Sequence, residues 1–473
     1  MPRRGVARAL VASTVLSLLP AGPVAAHDGS PGPSAATAAV RQSPGEVRER
    51  VRREVSPAEA RALGPERAEA HARTRLAVRE EAGRPDTVRA ARLASLTESQ
   101  ARANAGFRPA LYGAFTEYFD SPDSGAHTAL LPTGKVLLFS FEHTGAGRAF
   151  LWDPAKGTGA GSFEKVTPPR AAAPFFPTGH ALLPSGGLVV RGAPGAHADG
   201  GPTLVFDPWT ETWSRGPATS AVRRAPFPDG AGPLWGTRAP AVERFPARVH
   251  PPAAGGPSYA PSAGRPHDNT LLMPDGTLLT VSGAYDIHDY ASGLLSPAPD
   301  PKYRQLELRD TKGGWRLGPV QRLPRGHRSN ALVLPDGRVA ITGDELQQTA
   351  HDADLGDGAH GTIEIYEPAY LHQGPRPVLD EVPAVPLAPG DRFRVRTSTP
   401  DRVRRAVLLA PAGAPDPAGA ARRQVELRIE RREGGLLTLQ APPTRAAAPS
   451  GHHLLFLLDG KGVPSVARWV RLA

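Results

Sequence analysis

The hydrophobic pattern in the middle of the chain is a short apolar run that is broken by a turn phrase and then resumes. The turn phrase is Pro, then a small or acidic residue, then Gly. Proline fixes φ at the first turn position, Asp or Ser can bond to its own backbone, and glycine accepts a positive φ. Each copy therefore predicts a hairpin of two short buried strands. The four copies are residues 129–138, 181–190, 271–279 and 332–340.

The spacing of these hairpins indicates repeated β-sheets. The four turn prolines, at positions 132, 184, 274 and 335, lie 52, 90 and 61 residues apart. Repeats on this scale are typical of propeller blades, and the longest interval fits two blades of which the second is degenerate. The number of blades stays open, and an irregular Pro-rich all-β chain is the alternative. An outer strand that ends in an acidic residue follows most hairpins, at residues 151–154, 205–208, 308–310 and 365–368.

The pattern changes on both sides of this region. Residues 376–473 show short alternating strands between turn residues, which predicts an immunoglobulin-like β-sandwich. Residues 44–109 are rich in Arg, Glu and Ala, with Ser-Pro-x-Glu helix starts at residues 43–46 and 56–59. Few large apolar residues follow these starts, which predicts helices that pack loosely or extend as an arm. The expected fold class is mainly β, with the propeller at residues 110–375.

The first residues have the pattern of a secretory signal peptide. A basic start is followed by an apolar run at residues 9–19 and by the small residues 24–26, so we expect cleavage after Ala26. Residues 27–43 are polar and Pro-rich, which predicts a disordered linker. The apolar run is too short to span a membrane, and the sequence shows no later candidate. We therefore expect an extracellular protein without a transmembrane segment.

Composition narrows the chemistry and the partners. The chain has no cysteine, so it can form neither a disulfide nor a thiolate site. Lys and Arg number 56 and Asp and Glu number 46, which gives a net charge of +10. Most of the excess is arginine scattered along the sequence, without the clustered basic face and interleaved aromatics of a nucleic-acid site. We expect a monomer that does not bind nucleic acid, while attraction to anionic envelope polymers stays open.

Two C-terminal segments carry a family resemblance. Residues 451–467 and the junction at residues 364–377, together with the repeated hairpins, resemble the galactose oxidase and glyoxal oxidase group of secreted copper-radical oxidases. The resemblance covers roughly residues 112–473. It implies a kelch-type β-propeller followed by an immunoglobulin-like early-set domain. It also implies a copper ion held by a tyrosine cross-linked to cysteine, a second tyrosine and two histidines.

The positions that the resemblance assigns to this copper group hold other residues. The cysteine phrase reads Phe-Pro-Thr-Gly-His here, with Pro177 at the cysteine position, and no tyrosine follows in the next blade. The axial tyrosine and histidine correspond to His327 and Arg328, and the C-terminal histidine corresponds to Pro415. We therefore expect the copper site to be lost, with no catalytic residue and no cofactor.

Other side chains offer a weaker basis for a site. His267 with Asp268, and His327 with Arg328, precede predicted inner strands, where they could bind an acidic or hydroxylated ligand. Solvated loop histidines are the alternative. His180 is expected to pack in a blade or to bond to backbone rather than to bind a ligand.

A separate acidic run offers a weak calcium candidate. Asp352, Asp354 and Asp357 present hard oxygen ligands, although the run lacks a closing bidentate glutamate. A polar surface loop is the alternative.

These observations favour one functional hypothesis and leave two others open. The favoured hypothesis is a secreted, catalytically degenerate relative of the oxidases that binds a carbohydrate or other envelope ligand. The first alternative is a copper-dependent oxidase of alcohols or aldehydes that makes hydrogen peroxide at a non-standard site built from His327, His267 or His180. The second alternative is a calcium-stabilised structural protein. The sequence therefore favours a binding protein over an enzyme.

Overall fold

A computed structural model gives the fold of the chain. It describes residues 44–55, short stretches between 57 and 76, and residues 86–141, 147–169, 177–192, 203–216, 268–283, 304–311, 314–325, 329–343, 349–350, 359–411 and 423–473. The chain divides into two compact units, residues 1–46 and 47–473. The expected signal peptide and linker lie outside the described residues. Three α-helices have bounds within the described residues, α1 (Pro44–Glu54), α2 (Asp86–Asn104) and α3 (Pro109–Tyr112).

Seventeen strands are described between residues 114 and 367. In chain order they are β1 (Ala114–Ser121), β2 (His127–Leu130), β3 (Val136–Phe141), β4 (Gly147–Trp152), β5 (Phe163–Lys165), β6 (Pro177–Leu182), β7 (Leu188–Gly192), β8 (Thr203–Asp207), β9 (Thr212–Arg215), β10 (Asp268–Leu272), β11 (Leu278–Ser282), β12 (Gln305–Arg309), β13 (Trp315–Val320), β14 (Asn330–Val333), β15 (Val339–Thr342), β16 (Thr349–Ala350) and β17 (Ala359–Glu367). They form four antiparallel sheets, β2-β3-β4-β5, β6-β7-β8-β9, β10-β11-β12-β13 and β1-β17-β15-β14, with β16 paired to β17.

The four hairpins expected from the turn phrases are confirmed. They join β2 to β3, β6 to β7, β10 to β11 and β14 to β15. In the first, the amide of Gly134 donates to the carbonyl of Leu131, and the amide of Leu131 donates to Lys135. The turn glycines have φ between 85° and 97°, a range that strains any side-chain-bearing residue. The turn glycines are Gly134, Gly186, Gly276 and Gly337.

The fourth sheet joins the two ends of the propeller region. Its outer strand β1 comes from the start of the region, and β14, β15 and β17 come from its end. The pairing of β1 with β17 runs from Ala114 opposite Glu367 to Ser121 opposite Gly361. This arrangement is consistent with a propeller ring, in which the last sheet is completed by the first strand.

The C-terminal residues form two further sheets. Their strands are β18 (Arg392–Arg396), β19 (Arg405–Leu409), β20 (Gln424–Leu427), β21 (Ile429–Glu433), β22 (Leu436–Gln440), β23 (Gly451–Leu458) and β24 (Arg468–Leu472). The sheets are β18-β22-β21 and β20-β19-β23-β24. A buried cluster that includes Val395, Leu408, Leu439 and Leu457 lies between them, as expected for an immunoglobulin-like sandwich.

The sandwich packs on the hairpin turns of the propeller region. Leu454 and Phe456 of β23 share a buried cluster with residues of the propeller sheets. Gln424 Nε2 donates to the carbonyl of Met273 at 3.1 Å, and the amide of Ala467 donates to the carbonyl of Pro335 at 2.7 Å. The turns therefore face the sandwich. The opposite end of the inner strands β2, β6, β10 and β14, where each begins, is called the start end.

The helix α2 is docked rather than extended, which corrects the expectation of a loose arm. Asn104 continues the hydrogen-bonding pattern of the edge strand β13, because its Nδ2 donates to the Val320 carbonyl at 2.9 Å and its Oδ1 accepts from the Val320 amide at 2.7 Å. The fully buried Arg304 donates to Ser99 Oγ at 2.7 Å. Leu96 is buried in the same contact. Polar contacts therefore hold α2 against the sheet, since the helix has few large apolar residues to bury.

Candidate functional site

Most of the residues singled out in the sequence lie outside the described part of the chain. Asp268 and Pro177 are described in their backbone. Asp268 begins β10 opposite Ser282, and Pro177 begins β6 opposite Gly192. Their proposed roles remain predictions. The residues outside the described part are His267, His327, Arg328, Asp352, Asp354, Asp357 and Pro415.

His180 is fully described, and it lies where β6 meets β2. Its Nε2 lies 3.1 Å from the carbonyl oxygen of Thr128, so Nε2 carries the proton and donates it. Its Nδ1 is buried without a hydrogen-bond partner among the described residues. Burial lowers the pKa of His180 to about 4, and the bond to Thr128 opposes that shift only in part. The imidazole is therefore neutral at neutral pH and acts as a link between two sheets.

Two aromatic rings surround this imidazole. The His127 ring stacks on Phe139, with centroids 5.0 Å apart and planes 15° apart. The His180 ring meets Phe139 edge-on at 5.1 Å and His127 edge-on at 5.8 Å. His127 and His180 are both buried. The structure thus brings together two histidines from neighbouring inner strands, a pair that the sequence reasoning did not identify.

Side-chain amides link the other inner strands at the start end. Asn330 Nδ2, at the start of β14, donates at 2.9 Å to the carbonyls of Gly125 and Ala126, just before β2. Asn269 Nδ2, in β10, donates at 3.1 Å to the carbonyl of Ser329, just before β14. With the His180 bond, these contacts connect the inner strands in the order β10, β14, β2, β6. The start end is therefore built by side chains that bond to neighbouring backbone.

A sequence signal for these residues exists. His127, Asn269 and Asn330 each lie five residues before the proline of their hairpin turn. Because every hairpin has the same length, this position reaches the same height in each sheet. Counting back from the turn proline would have identified all three residues.

Ser282 stores backbone strain at the same end. Its φ is 64°, a left-handed value that is rare for a residue other than glycine. Such conformations cost roughly 1–3 kcal/mol and cluster at functional sites. Its buried hydroxyl has no hydrogen-bond partner among the described residues. Ser282 lies opposite Asp268, which directly follows His267 in the sequence.

The described tyrosines that could be compared with a metal-binding phenol have structural partners. Burial raises the pKa of Tyr118 to about 12 and raises the pKa of Tyr366 and Tyr370 as well. The hydroxyl of Tyr366 donates to the Tyr112 carbonyl at 2.6 Å, and that of Tyr370 donates to the Gly337 carbonyl at 2.5 Å. Within the described ranges, no three His, Asp or Glu side chains are grouped as metal ligands would be. In the same part of the chain, no helix is long and apolar enough to cross a membrane.

Comparison with known proteins identifies the C-terminal domain. The sequence profile of the family "Galactose oxidase-like, Early set domain" matches residues 376–472. The chain is 30% identical to Aldehyde oxidase GLOX of Vitis pseudoreticulata over 223 residues, which are 44% of this chain and 41% of the relative. It is 28% identical to Galactose oxidase of Gibberella zeae over 216 residues, which are 44% of this chain and 29% of the relative. The chain therefore spans less than half the length of these relatives.

A solved structure shares the fold. A fungal alcohol oxidase of the AA5 family, in complex with copper, aligns with a TM-score of 0.53 at 16% sequence identity, covering 76% of this chain and 100% of that one. At this identity the likeness shows the fold alone. Residues 376–472 are therefore a galactose oxidase-like early set domain of the immunoglobulin-like type, and the chain is a homologue of the proteins named galactose oxidase and aldehyde oxidase.

Proposed function

We propose that this protein is a secreted binding protein built on an oxidase scaffold, with an extracellular carbohydrate as its ligand and without copper-radical catalysis. The observation that carries the proposal is Pro177, which stands at the position of the family's cysteine. It begins β6 opposite Gly192 and has no side-chain donor atom. A cross-linked tyrosyl-cysteine group cannot form in a chain that has no cysteine at any position.

The geometry of the start end supports binding rather than redox chemistry. Asn269, Asn330 and His180 are engaged in bonds that hold neighbouring inner strands together. Rigid polar groups at one end of a sheet array are suited to fixing the orientation of a polar ligand. The left-handed backbone of Ser282 lies at the same end, and strained conformations of this kind cluster at functional sites. We therefore place the candidate ligand face at this end, with His267, Asp268, His327 and Arg328 as its proposed polar contacts.

One observation favours a second candidate function. The buried Nδ1 of His180 carries a lone pair and has no partner among the described residues, while its Nε2–H is anchored on a carbonyl. A neutral imidazole that is oriented through its other nitrogen is the usual form of a metal-ligating histidine. The alternative is a copper-dependent oxidase of alcohols or aldehydes that uses a non-standard site at His180, His267 or His327.

Copper loading with a peroxide assay separates the two functions. The mature protein is loaded with Cu(II), desalted, and tested for bound copper and for peroxide release with galactose, simple alcohols and aldehydes. We expect neither stoichiometric copper nor peroxide, and we expect a glycan array to show saccharide binding. Substrate-dependent peroxide that is lost in both His180→Gln and His327→Ala would overturn the binding-protein proposal. In His180→Gln the glutamine amide can still donate to the Thr128 carbonyl. A loss of activity in this variant would therefore not result from a lost hydrogen bond between β6 and β2.

The proposed location and cation dependence have their own tests. Export from residues 1–26 is tested by sequencing the secreted protein, which we expect to begin at His27. Size-exclusion chromatography is expected to show a monomer. The calcium candidate at Asp352, Asp354 and Asp357 predicts a lower melting temperature in chelator, whereas a surface loop leaves the melting temperature unchanged, which is the result we expect.

A further inference from the structure

Trp209 is an exposed aromatic ring on a rigid turn. It lies between β8 and β9, and 58% of its surface is exposed. Asp207 Oδ1 accepts from the Trp209 amide at 2.8 Å, which fixes the turn. Glu211, two residues after Trp209, has a left-handed φ of 56° and accepts from Lys135 Nζ at 2.5 Å. The ring is therefore presented to solvent from a backbone that is held on both sides.

The turn itself does not require this ring. The equivalent turn after β4 has the sequence Asp153-Pro154-Ala155, where Asp153 Oδ1 accepts from the Ala155 amide at 3.1 Å. The same turn therefore forms with alanine at the position that Trp209 occupies. Alanine is therefore compatible with the turn, and yet this position holds a large ring that is mostly exposed to water. Such an exposed ring points to an interaction at the surface.

The ring lies at the junction with the sandwich, beside two further aromatic side chains. The His452 ring of β23 is 6.0 Å from Trp209, and its other neighbour Trp469 of β24 is 6.5 Å away. His452 also covers the turn glycine Gly186, since a Cβ there would lie 3.1 Å from its ring. His452 Nδ1 and Trp469 Nε1 are buried without hydrogen-bond partners among the described residues. Buried polar atoms without partners are uncommon and often mark a place where a water or ligand binds.

An exposed arginine lies beside the His452 ring. Arg471 lies directly opposite His452 in the β23–β24 pair, with its side chain on the same face, and it is exposed. Its positive charge contributes to the lowered pKa of His452, although burial is the larger cause. No described ion pair involves Arg471. The nearby carboxylate of Glu211 is neutralised by Lys135. An anionic ligand on the rings would therefore meet the Arg471 cation, while the other carboxylate of the turn, Asp207, accepts from the Trp209 and Thr210 amides.

We propose that Trp209, His452, Trp469 and Arg471 form a binding site for an acidic saccharide. A pyranose ring presents a flat face of C–H groups that packs on an exposed indole, while its hydroxyls and carboxylate need polar partners. Trp209 supplies the indole face and Arg471 supplies a charge-assisted bond to a uronate carboxylate. This inference rests on the proposed carbohydrate-binding function and names a second location for it, on the sandwich side of the propeller rather than at the start end.

Isothermal titration with short oligogalacturonates tests the proposal, with neutral cello-oligosaccharides in parallel. We expect Trp209→Ala to weaken galacturonate binding by at least about tenfold, the loss typical of removing an aromatic anchor. Trp209→Phe should retain part of the affinity. Arg471→Ala should weaken the acidic ligand and reduce the salt dependence of its binding. Val385→Ala, which truncates another exposed apolar side chain, is the matched control and should bind as the unaltered protein does.

The outcomes separate this site from the proposed function. Galacturonate binding that is unchanged in Trp209→Ala overturns the Trp209 site and leaves carbohydrate binding elsewhere intact. Equal affinity for neutral and acidic oligosaccharides, with no effect of Arg471→Ala, overturns the acidic class. Failure of the unaltered protein to bind any saccharide on an array overturns both proposals. Melting temperatures of the variants establish that each is folded. We expect Trp209→Ala to fold, because the equivalent turn after β4 has Ala155 at this position.

Discussion

Arg325 and Glu364 form an ion pair that is almost completely removed from solvent, with Nη2 and Oε1 3.4 Å apart and side-chain exposures of 0% and 1%. Glu364 lies in β17, and its carboxylate also accepts from the backbone amides of Arg322 at 2.5 Å and Leu323 at 3.1 Å. Arg325 donates in addition to Thr362 Oγ1 at 3.0 Å. The carboxylate therefore fixes the chain that runs from β13 to β14, directly before His327 and Arg328.

Removing this carboxylate is expected to destabilise the protein strongly. Glu364→Ala leaves the buried Arg325 guanidinium uncompensated, which costs about 3–5 kcal/mol. Glu364→Gln keeps an acceptor for the backbone amides and should lose less. The measurement is the free energy of unfolding in urea. The control is Glu433→Ala, which breaks an exposed pair with Arg431 and should cost no more than about 1 kcal/mol. Equal losses in Glu364→Ala and Glu433→Ala would contradict the prediction.

Titration of His180 is expected to make stability fall with acidification. In the folded state the pKa of His180 is lowered to about 4 from the ordinary 6.5. Between these two pH values the unfolded chain therefore binds a proton at His180 that the folded chain does not bind. The stabilisation is therefore complete above about pH 6.5 and is lost as the pH falls towards 4, by up to about 3 kcal/mol.

A variant without the imidazole isolates this contribution. His180→Gln retains a donor for the Thr128 carbonyl and does not titrate, so its stability should depend less steeply on pH between about 6.5 and 4. His452 and His453, whose pKa values burial also lowers, contribute a slope of the same sign that remains in the variant. Urea unfolding at several pH values measures the difference. Identical slopes in the two proteins would show that folding does not lower the pKa of His180.

What the sequence could predict follows from how local each signal is. The hairpins are encoded by adjacent residues, such as the phrase ending at Gly134, and they form as expected. The pairing of β1 with β17 joins segments far apart in the chain, and nothing in the sequence of Ala114–Ser121 indicates which strand it pairs with. The start-end bonds of Asn330 are equally non-local, because its acceptors at Gly125 and Ala126 directly precede a strand of another sheet. The candidate ligand residues before β10 and β14, which are His267, His327 and Arg328, lie outside the described part of the chain.

Docking of α2 is expected to depend on Asn104. Asn104→Ala leaves the Val320 amide without its partner at the sheet edge, although the Val320 carbonyl still accepts from Gln100 Nε2 at 3.1 Å, and we expect a loss of about 1–3 kcal/mol. We expect faster amide exchange at Val320 and faster proteolysis within residues 86–104. Glu98→Ala is the control, because Glu98 lies on the exposed face of the same helix, where it pairs with Arg102. Exchange at Val320 that is the same in both variants would show that the helix does not protect this edge.

Gly113 is expected to tolerate no side chain, because it directly precedes β1 and lies against the end of β17, to which β1 pairs. Its φ is 71°, and a Cβ at this position would overlap the Glu367 carbonyl oxygen and the Tyr366 hydroxyl. Gly113→Ala should therefore combine backbone strain with overpacking and cost about 2–4 kcal/mol. Gly434→Ala is the matched control, since Gly434 has a φ of 56° with open space around it and should lose only the strain, about 1–2 kcal/mol. The comparison is made by thermal unfolding and by amide exchange along β1. A Gly113→Ala protein whose β1 amides exchange as slowly as those of Gly434→Ala would mean that the strand pairing does not need this close approach.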